Sequence, residues 1–384
     1  MSAGSFLLIP ILPLFAEKVM GAGKTEIGYI IGIYTLSALF SRPITGVALD
    51  TVGRKSTYLV GLFLFVLIMP VYAWVTVLWT LFILRFAHGL TWGMITTGGN
   101  TIASDIVPME RRGEGIGYFG MSFTIAMALG PVLGLILIQK ISYVQLFYLS
   151  TCIIAFALLL ANFVKYPQIV SHGQAPVRKR LSKDMLFEAS VLPASFISMI
   201  CSGIFGGLIS FITLYMKETG IQTGNPLLDS GAIFFIVYAV GLTVVRPFAG
   251  AEMDKRGPAR VMAFGFTMLT LGLLGIASTY EIIGFVVASF ITGCGVGVIL
   301  PTTITMVVNL VPPNRRGVAN STFFSAVDIG VGLGTILIGM IAEATSLSFA
   351  YYMCAAVVIV PAVYFFSFVL KDYQNKMAAM SEKS

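Results

Sequence analysis

The sequence predicts an all-α membrane protein of twelve transmembrane helices arranged as two pseudo-symmetric six-helix bundles. Three observations predict it. First, 57% of the 384 residues are apolar and only 11% charged, with a mean hydropathy of +0.92. That is too little charge to cover a soluble globule of this length, so most of the surface must face lipid. Second, twelve apolar stretches follow one another, each long enough to cross a hydrocarbon core of ~30 Å as a helix. Third, the chain repeats itself at a fixed offset of 204 residues. Arg42, Pro43, Gly46, Asp50, Gly53 and Gly61 return as Arg246, Pro247, Gly250, Asp254, Gly257 and Gly265. Pro108, Arg111, Arg112 and Gly113 return as Pro312, Arg315, Arg316 and Gly317, and Gly89, Gly93 and Gly130 as Gly293, Gly297 and Gly334. Two copies of one membrane unit keep their Gly, Pro and charge positions in otherwise different apolar sequence, a mark of secondary transporters.

The spans lie near 4–20, 27–49, 57–76, 78–104, 115–139 and 143–164 in the first half, and near 186–216, 229–250, 259–280, 283–308, 317–343 and 347–370 in the second. They divide the chain into a first bundle over 1–165, a linker over 166–185, a second bundle over 186–371 and a tail over 372–384. Matching Leu14 and Phe15 to Leu214 and Tyr215 leaves the first span without a counterpart for most of 186–202, so it is expected to be cut short at its N-terminus. No basic n-region precedes it, which argues against a cleaved signal peptide.

Charge sets the orientation. With the loops after even-numbered spans on one side, that side holds seventeen Lys and Arg residues, and the other only Lys18, Lys24, Lys140 and Lys217. The positive-inside rule then puts linker and C-terminus in the cytoplasm of a multi-pass protein of the cytoplasmic membrane. The net charge of +7 is read as topogenic, with no nucleic-acid partner. The linker, with its His172, reads as a solvated spacer. Cys152, Cys201, Cys294 and Cys354 fall within spans without metal-ligand spacing. Glycine pairs such as Gly89-x-x-x-Gly93 read as helix-packing positions, and no Gly-rich stretch precedes a Lys-Ser/Thr pair that could hold ATP. Transport is therefore expected to be powered by a gradient, or not powered, with no cofactor and no metal.

The loop after the second span reads Gly46-Val-Ala-Leu-Asp50-Thr-Val-Gly53-Arg54-Lys55, and the loop after the eighth repeats Gly250-x-x-x-Asp254-Lys255-x-Gly257. In physical terms, Gly46 admits a second helix at close range, Asp50 suits a helix N-terminus, and Arg54 offers a bidentate donor to a carboxylate. The pattern resembles the G-x-x-x-D-R/K-x-G-R-R/K loop of the major facilitator superfamily, with Thr51 in place of the basic residue after the Asp. The resemblance implies that these loops gate the cytoplasmic side, and that Arg54 meets a carboxylate at the end of the fourth span, Asp105. At the matching positions the second copy has Pro258 and Asn309, so only the first latch is expected to be complete.

Leu81-x-x-x-Arg85-x-x-His88-Gly89 resembles a further motif of the superfamily, with His88 for the usual Gln. Arg85 lies ~9 Å of helical rise beyond Trp79, where a guanidinium needs a wet cavity or a partner. Proton coupling or anion handling is one reading; a structural pair or snorkelling is the other. Gly117-x8-Ala126-x3-Gly130-Pro131-x2-Gly134-Leu135 resembles the antiporter motif of drug/proton exporters, with Ala126 and Leu135 replacing glycines. Its glycines are expected to pack against the other half, and Pro131 to bend the helix. Asp328, ~16 Å of rise beyond Gly317, is the one carboxylate deep in a span: a candidate for coupling or substrate binding on one reading, a structural acid hydrogen-bonded to backbone in a bent helix on the other. Aromatics such as Phe82, Phe86, Trp92, Phe205, Phe211 and Tyr215 are candidate pocket residues. The resemblance as a whole implies a monomeric, proton-coupled exporter of a small amphipathic molecule by alternating access. Export of a metallophore, sugar or other metabolite, and symport of an anion onto Arg85, stand as rivals. Two histidines far apart assemble no catalytic constellation, so no enzyme is expected.

Overall fold

The computed structural model describes residues 1–8, 11–22, 24–164, 166, 187–222, 224 and 232–381. Helices account for nearly all of them, and no strand occurs among them. In the first half these are α1 (Ser2–Leu7), α2 (Ile11–Met20), α3 (Lys24–Thr51), α4 (Arg54–Val71), α5 (Leu78–Ile106), α6 (Arg112–Leu137) and α7 (Tyr143–Phe163). The second half gives α8 (Leu192–Thr219), α9 (Ile233–Arg256), α10 (Pro258–Ser278), α11 (Ile282–Asn309) and α12 (Arg316–Ala344). The last span runs through α13 (Leu347–Val357), α14 (Ile359–Tyr364), a π turn at Phe365–Val369 and α15 (Leu370–Ser381), so most of the expected tail is helical. Ten of the helical runs are long and apolar enough to cross a membrane. Apart from Tyr166, the linker and its His172 lie outside the described residues.

The chain forms two compact units. One comprises Met1–Ile106, Ile125–Glu188 and Pro313–Thr322; the other comprises Val107–Thr124, Ala189–Pro312 and Phe323–Ser384. Each is thus one half of the sequence with a segment exchanged. The start of α12 belongs to the first unit and the start of α6 to the second.

Within the first unit α5 packs on α3 and α4, and α4 on α7; within the second, α11 packs on α9 and α10, with α8 alongside. The two central crossings repeat at the level of single atoms. A Cβ added to Gly93 would lie 2.7 Å from the Ala38 carbonyl oxygen, and one on Gly297 would lie 3.0 Å from Leu242 Cα. Residues 38 and 242 stand at the repeat offset, so the small residues of the repeat mark backbone-to-backbone helix contact. Leu62, Phe65, Met69, Tyr72 and Phe147 fill the core of the first unit. Phe40, Ile44, Phe163, Phe248 and Ile283 are exposed, large apolar side chains of the kind that a lipid environment accommodates at a protein surface.

Candidate functional site

The first repeated loop begins where α3 ends at Thr51 and turns sharply through Gly53. Gly53 has φ +119°, a conformation that side chains rarely adopt. The turn starts α4 at Arg54 and brings Arg54 back onto Asp50, Nη2 to Oδ1 2.8 Å. Arg54 also donates from Nε to Asp105 Oδ2 at 3.2 Å, from Nη1 to the Leu49 carbonyl at 2.7 Å, and to the Pro313 carbonyl. Asp50 in turn accepts from the backbone amides of Gly317 (3.0 Å) and Val318 (2.9 Å). These are free N–H groups in the first turn of α12, where the helix dipole favours an anion. Close approach makes the contact possible: a Cβ on Gly46 would lie 2.7 Å from Ser321 Cβ and 3.0 Å from the Gly317 carbonyl.

Asp105 is the hub of this joint. Its carboxylate is 1% exposed and takes Arg54 on Oδ2 and Arg316 Nη1 on Oδ1, the latter at 2.5 Å. The Tyr166 hydroxyl donates to Oδ2 at 2.6 Å. Burial, and then the adjoining carboxylate, raise the Tyr166 phenol above its ordinary value, so it remains a donor. Two guanidinium groups around one carboxylate make a charge-assisted cluster that is stable only while all partners are in place. The positive-inside count does not distinguish Arg316 from any other Lys or Arg on its side. The available signal was the exact return of Pro108-x-x-Arg111-Arg112-Gly113 as Pro312-x-x-Arg315-Arg316-Gly317.

In the second unit the geometry repeats with different chemistry. Gly257 has φ +78°. Asp254 accepts from the backbone amides of Gly113 (2.8 Å) and Glu114 (3.0 Å) at the start of α6. A Cβ on Gly250 would lie 2.8 Å from the Glu114 amide nitrogen, the counterpart of Gly46. Pro258 leaves no counterpart for Arg54, as expected, yet the second latch is not simply missing. Arg112, the counterpart of Arg316, donates to Asn309 Oδ1 at 2.5 Å, and Asn309 Nδ2 donates to the Tyr373 hydroxyl at 3.1 Å. An amide replaces the carboxylate at the hub, while the charges of Arg112 and Asp254 still attract one another.

The intramembrane candidates sit elsewhere. Arg85 on α5 donates to the Ile30 carbonyl at 3.3 Å and lies over the Tyr34 ring, 4.3 Å from its centroid, a cation–π arrangement. His88, one turn on, is buried among Tyr34, Phe65 and Tyr72, with Nδ1 2.8 Å from the Tyr72 hydroxyl. Asp328 is half-buried on α12 in the second unit. The antiporter-motif glycines divide between partners, which corrects the expectation that they all meet the other half. Gly117 faces the Arg246 carbonyl, 3.4 Å from an added Cβ. Gly130 and Gly134, either side of Pro131, instead pack on Phe6 and Leu7 of α1 in their own half. A glycine records that something comes close without recording what. Of the aromatics, Tyr215 is committed to structure, its buried hydroxyl donating to the Ile276 carbonyl at 2.5 Å.

The family model of the Major Facilitator Superfamily matches residues 1–251 and 231–382, and the chain belongs to this superfamily: it is a membrane transporter, not an enzyme. Among curated relatives it is 24% identical to the staphylopine export protein of Staphylococcus aureus, over 89% of this chain and 86% of that one. It is 25% identical to the multidrug resistance protein MdtG of Dickeya zeae, over 93% and 89%. Among solved structures, the human organic anion transporter MFSD10 aligns with a TM-score of 0.78 at 15% identity, covering 95% of both chains. The fucose:proton symporter FucP of E. coli aligns with a TM-score of 0.75 at 17% identity, covering 94% of both.

Proposed function

We propose that this transporter exports a small amphipathic molecule from the cytoplasm in exchange for protons, by alternating access. The observation that carries the reading is the repeated Gly–Asp joint. In each copy an Asp from one half of the sequence caps the first turn of a helix from the other, at the Lys/Arg-rich end. A joint made of a few hydrogen bonds and two facing glycines can form and break without repacking a hydrophobic core, as a gate on the cytoplasmic side requires. Export as the direction is supported by the named activities of the two sequence relatives, one a multidrug resistance protein and one an exporter. Symport of an anion onto Arg85 is less well supported, because that guanidinium is already engaged by Tyr34 and Ile30. Asp328 is the coupling candidate, since a carboxylate near mid-membrane can exchange a proton as the site alternates. The proposal places the Lys/Arg-rich end in the cytoplasm, treats the chain as a monomer and needs no cofactor.

Everted vesicles carrying an imposed, acid-inside proton gradient provide the test. A panel of amphipathic compounds of both charge signs, ethidium and 2-naphthoate among them, should contain at least one that dissipates the gradient in vesicles containing the parent and not in vesicles without it. Asp328→Asn keeps the side-chain shape and should abolish that response with expression unchanged. A mutant that transports with the parent's pH dependence would remove Asp328 from coupling.

A further inference from the structure

Arg42 and Arg246 are the same residue of the repeat, and they live in different circumstances. Arg42 donates from Nη1 to the hydroxyls of Thr96 (3.0 Å) and Thr97 (3.1 Å) on α5. At the repeat offset those positions are Leu300 and Pro301, which offer no side-chain acceptor. Arg246, on α9, is only 8% exposed, yet its Nε and Nη1 have no hydrogen-bond partner, and it forms no salt bridge among the described residues. Its guanidinium lies against Gly120 of α6, where a Cβ would fall 2.9 Å from Nη1. The repeat carries Phe324 at that position, so the second half's arginine has been given space that the first half's sequence denies. Tyr238, two turns earlier on the same helix, is 1% exposed and also leaves its hydroxyl unpartnered. Its ring is held by stacking on Phe205 and Phe234.

Arg246 lies ten residues before the end of α9 at Arg256, ~15 Å of rise, well inside the membrane. An unpaired guanidinium there is costly, and a chain tolerates it where an anion is present for part of the working cycle. We propose that Arg246, with the Tyr238 hydroxyl, binds the anionic group of the transported molecule, so that the substrate is an amphipathic organic anion carrying a carboxylate or similar group. The proposal deepens the export reading and rests on it for the identity of the ligand as cargo. A small inorganic anion has the same recognition chemistry and is the other source to be distinguished.

The experiment uses the purified full chain in detergent and reads thermal stability against 2-naphthoate, its neutral isostere 2-naphthamide, and sodium chloride. Naphthoate should raise the melting temperature of the parent and naphthamide should not. Arg246→Gln should need at least about tenfold more naphthoate for the same shift, Arg246→Lys should retain part of the effect, and Tyr238→Phe should weaken it several-fold. Without ligand, Arg246→Gln should melt no lower than the parent, because it removes an uncompensated charge; an arginine held by structural partners would lose stability instead. A shift produced by chloride alone and abolished in Arg246→Gln would overturn the organic-anion assignment in favour of an inorganic ion. Shifts independent of residue 246, or none, would overturn the site altogether. Naphthoate binding without proton movement in everted vesicles would refute the antiport reading and leave this site standing.

Discussion

Gly46→Leu tests the gate directly. A Cβ at position 46 would lie 2.7 Å from Ser321 Cβ, 3.0 Å from the Gly317 carbonyl and 3.1 Å from Val318 Cα. Carbon atoms pack at about 3.5–4.0 Å, so the Cβ alone forces α3 and α12 apart by roughly 1 Å and the rest of the leucine forces more. Asp50 is four residues further along the same helical face, and its bonds to Gly317 and Val318 are 3.0 and 2.9 Å long. Lengthened by about 1 Å, both leave hydrogen-bonding range. Bonds to a charged acceptor contribute about 1.5–3 kcal/mol each, so the joint loses about 3–6 kcal/mol, a factor of about 10² to 10⁴ in its equilibrium. The assay is alkylation of Ser104→Cys, a position 1% exposed beside the Asp105 hub, in a background with the four native cysteines replaced. A membrane-impermeant maleimide applied to everted vesicles should label this thiol slowly in the parent and at least tenfold faster with Gly46→Leu, and transport should be lost at unchanged expression. Parent-like protection together with parent-like transport would refute the reasoning, since no rearrangement compatible with both leaves room for the leucine.

Asp105→Asn leaves Arg54 and Arg316 around a neutral amide. Breaking a buried ion pair by removing one partner costs about 3–5 kcal/mol, so thermal inactivation should shift to lower temperature and Ser104→Cys should become reactive. Asn309→Asp gives Arg112 a carboxylate at the mirror position, which should hold the second joint closed and slow turnover several-fold in a vesicle assay without loss of folding. For Tyr166 the folded phenol titrates above its unfolded value of about 10, so its stabilising contribution is fully present below that pH and is lost only as the pH rises through the folded value. Tyr166→Phe should therefore lower thermal stability equally at pH 6 and pH 8, as measured by melting curves at both, and leave the pH profile of transport unchanged.

Much of this organisation was legible in the sequence because backbone geometry dictates it. Gly53 and Gly257 must be glycine for their φ values, and Gly46 and Gly250 must be glycine because a backbone stands where a side chain would go. Such constraints survive duplication and appear as identities at a fixed offset. Asp105 as the partner of Arg54 came through resemblance rather than through any local pattern. Arg316 and Arg112 were hidden because the rule that orients a membrane protein counts every Lys and Arg alike, whether it meets water or a buried acceptor. Asn309 read as the loss of a carboxylate, whereas its amide oxygen accepts from Arg112 and its nitrogen donates to Tyr373. The partners of Gly130 and Gly134 could not be read at all, since small residues permit an approach from any helix.

The differences between the two copies bear on mechanism more than the identities do. In the first unit Asp50, Arg54, Asp105 and Arg316 form a network of two carboxylates and two guanidinium groups, each contacting at least one group of opposite charge. In the second, Asp254 caps its helix, and Arg112 bonds to an amide while attracting Asp254 through its charge. Breaking a buried pair of opposite charges costs more than breaking a charge-assisted bond to an amide. The first joint, with more opposed charges in direct contact, is therefore expected to be the harder of the two to open. The two arginines of the repeat diverge in a related way: Arg42 keeps the threonines that satisfy it, while Arg246 has lost the equivalent positions to Leu300 and Pro301. The first copy thus keeps hydroxyl acceptors at its arginine, whereas in the second Nε and Nη1 of Arg246 have no hydrogen-bond partner among the described residues, the contrast on which the proposed anion site rests.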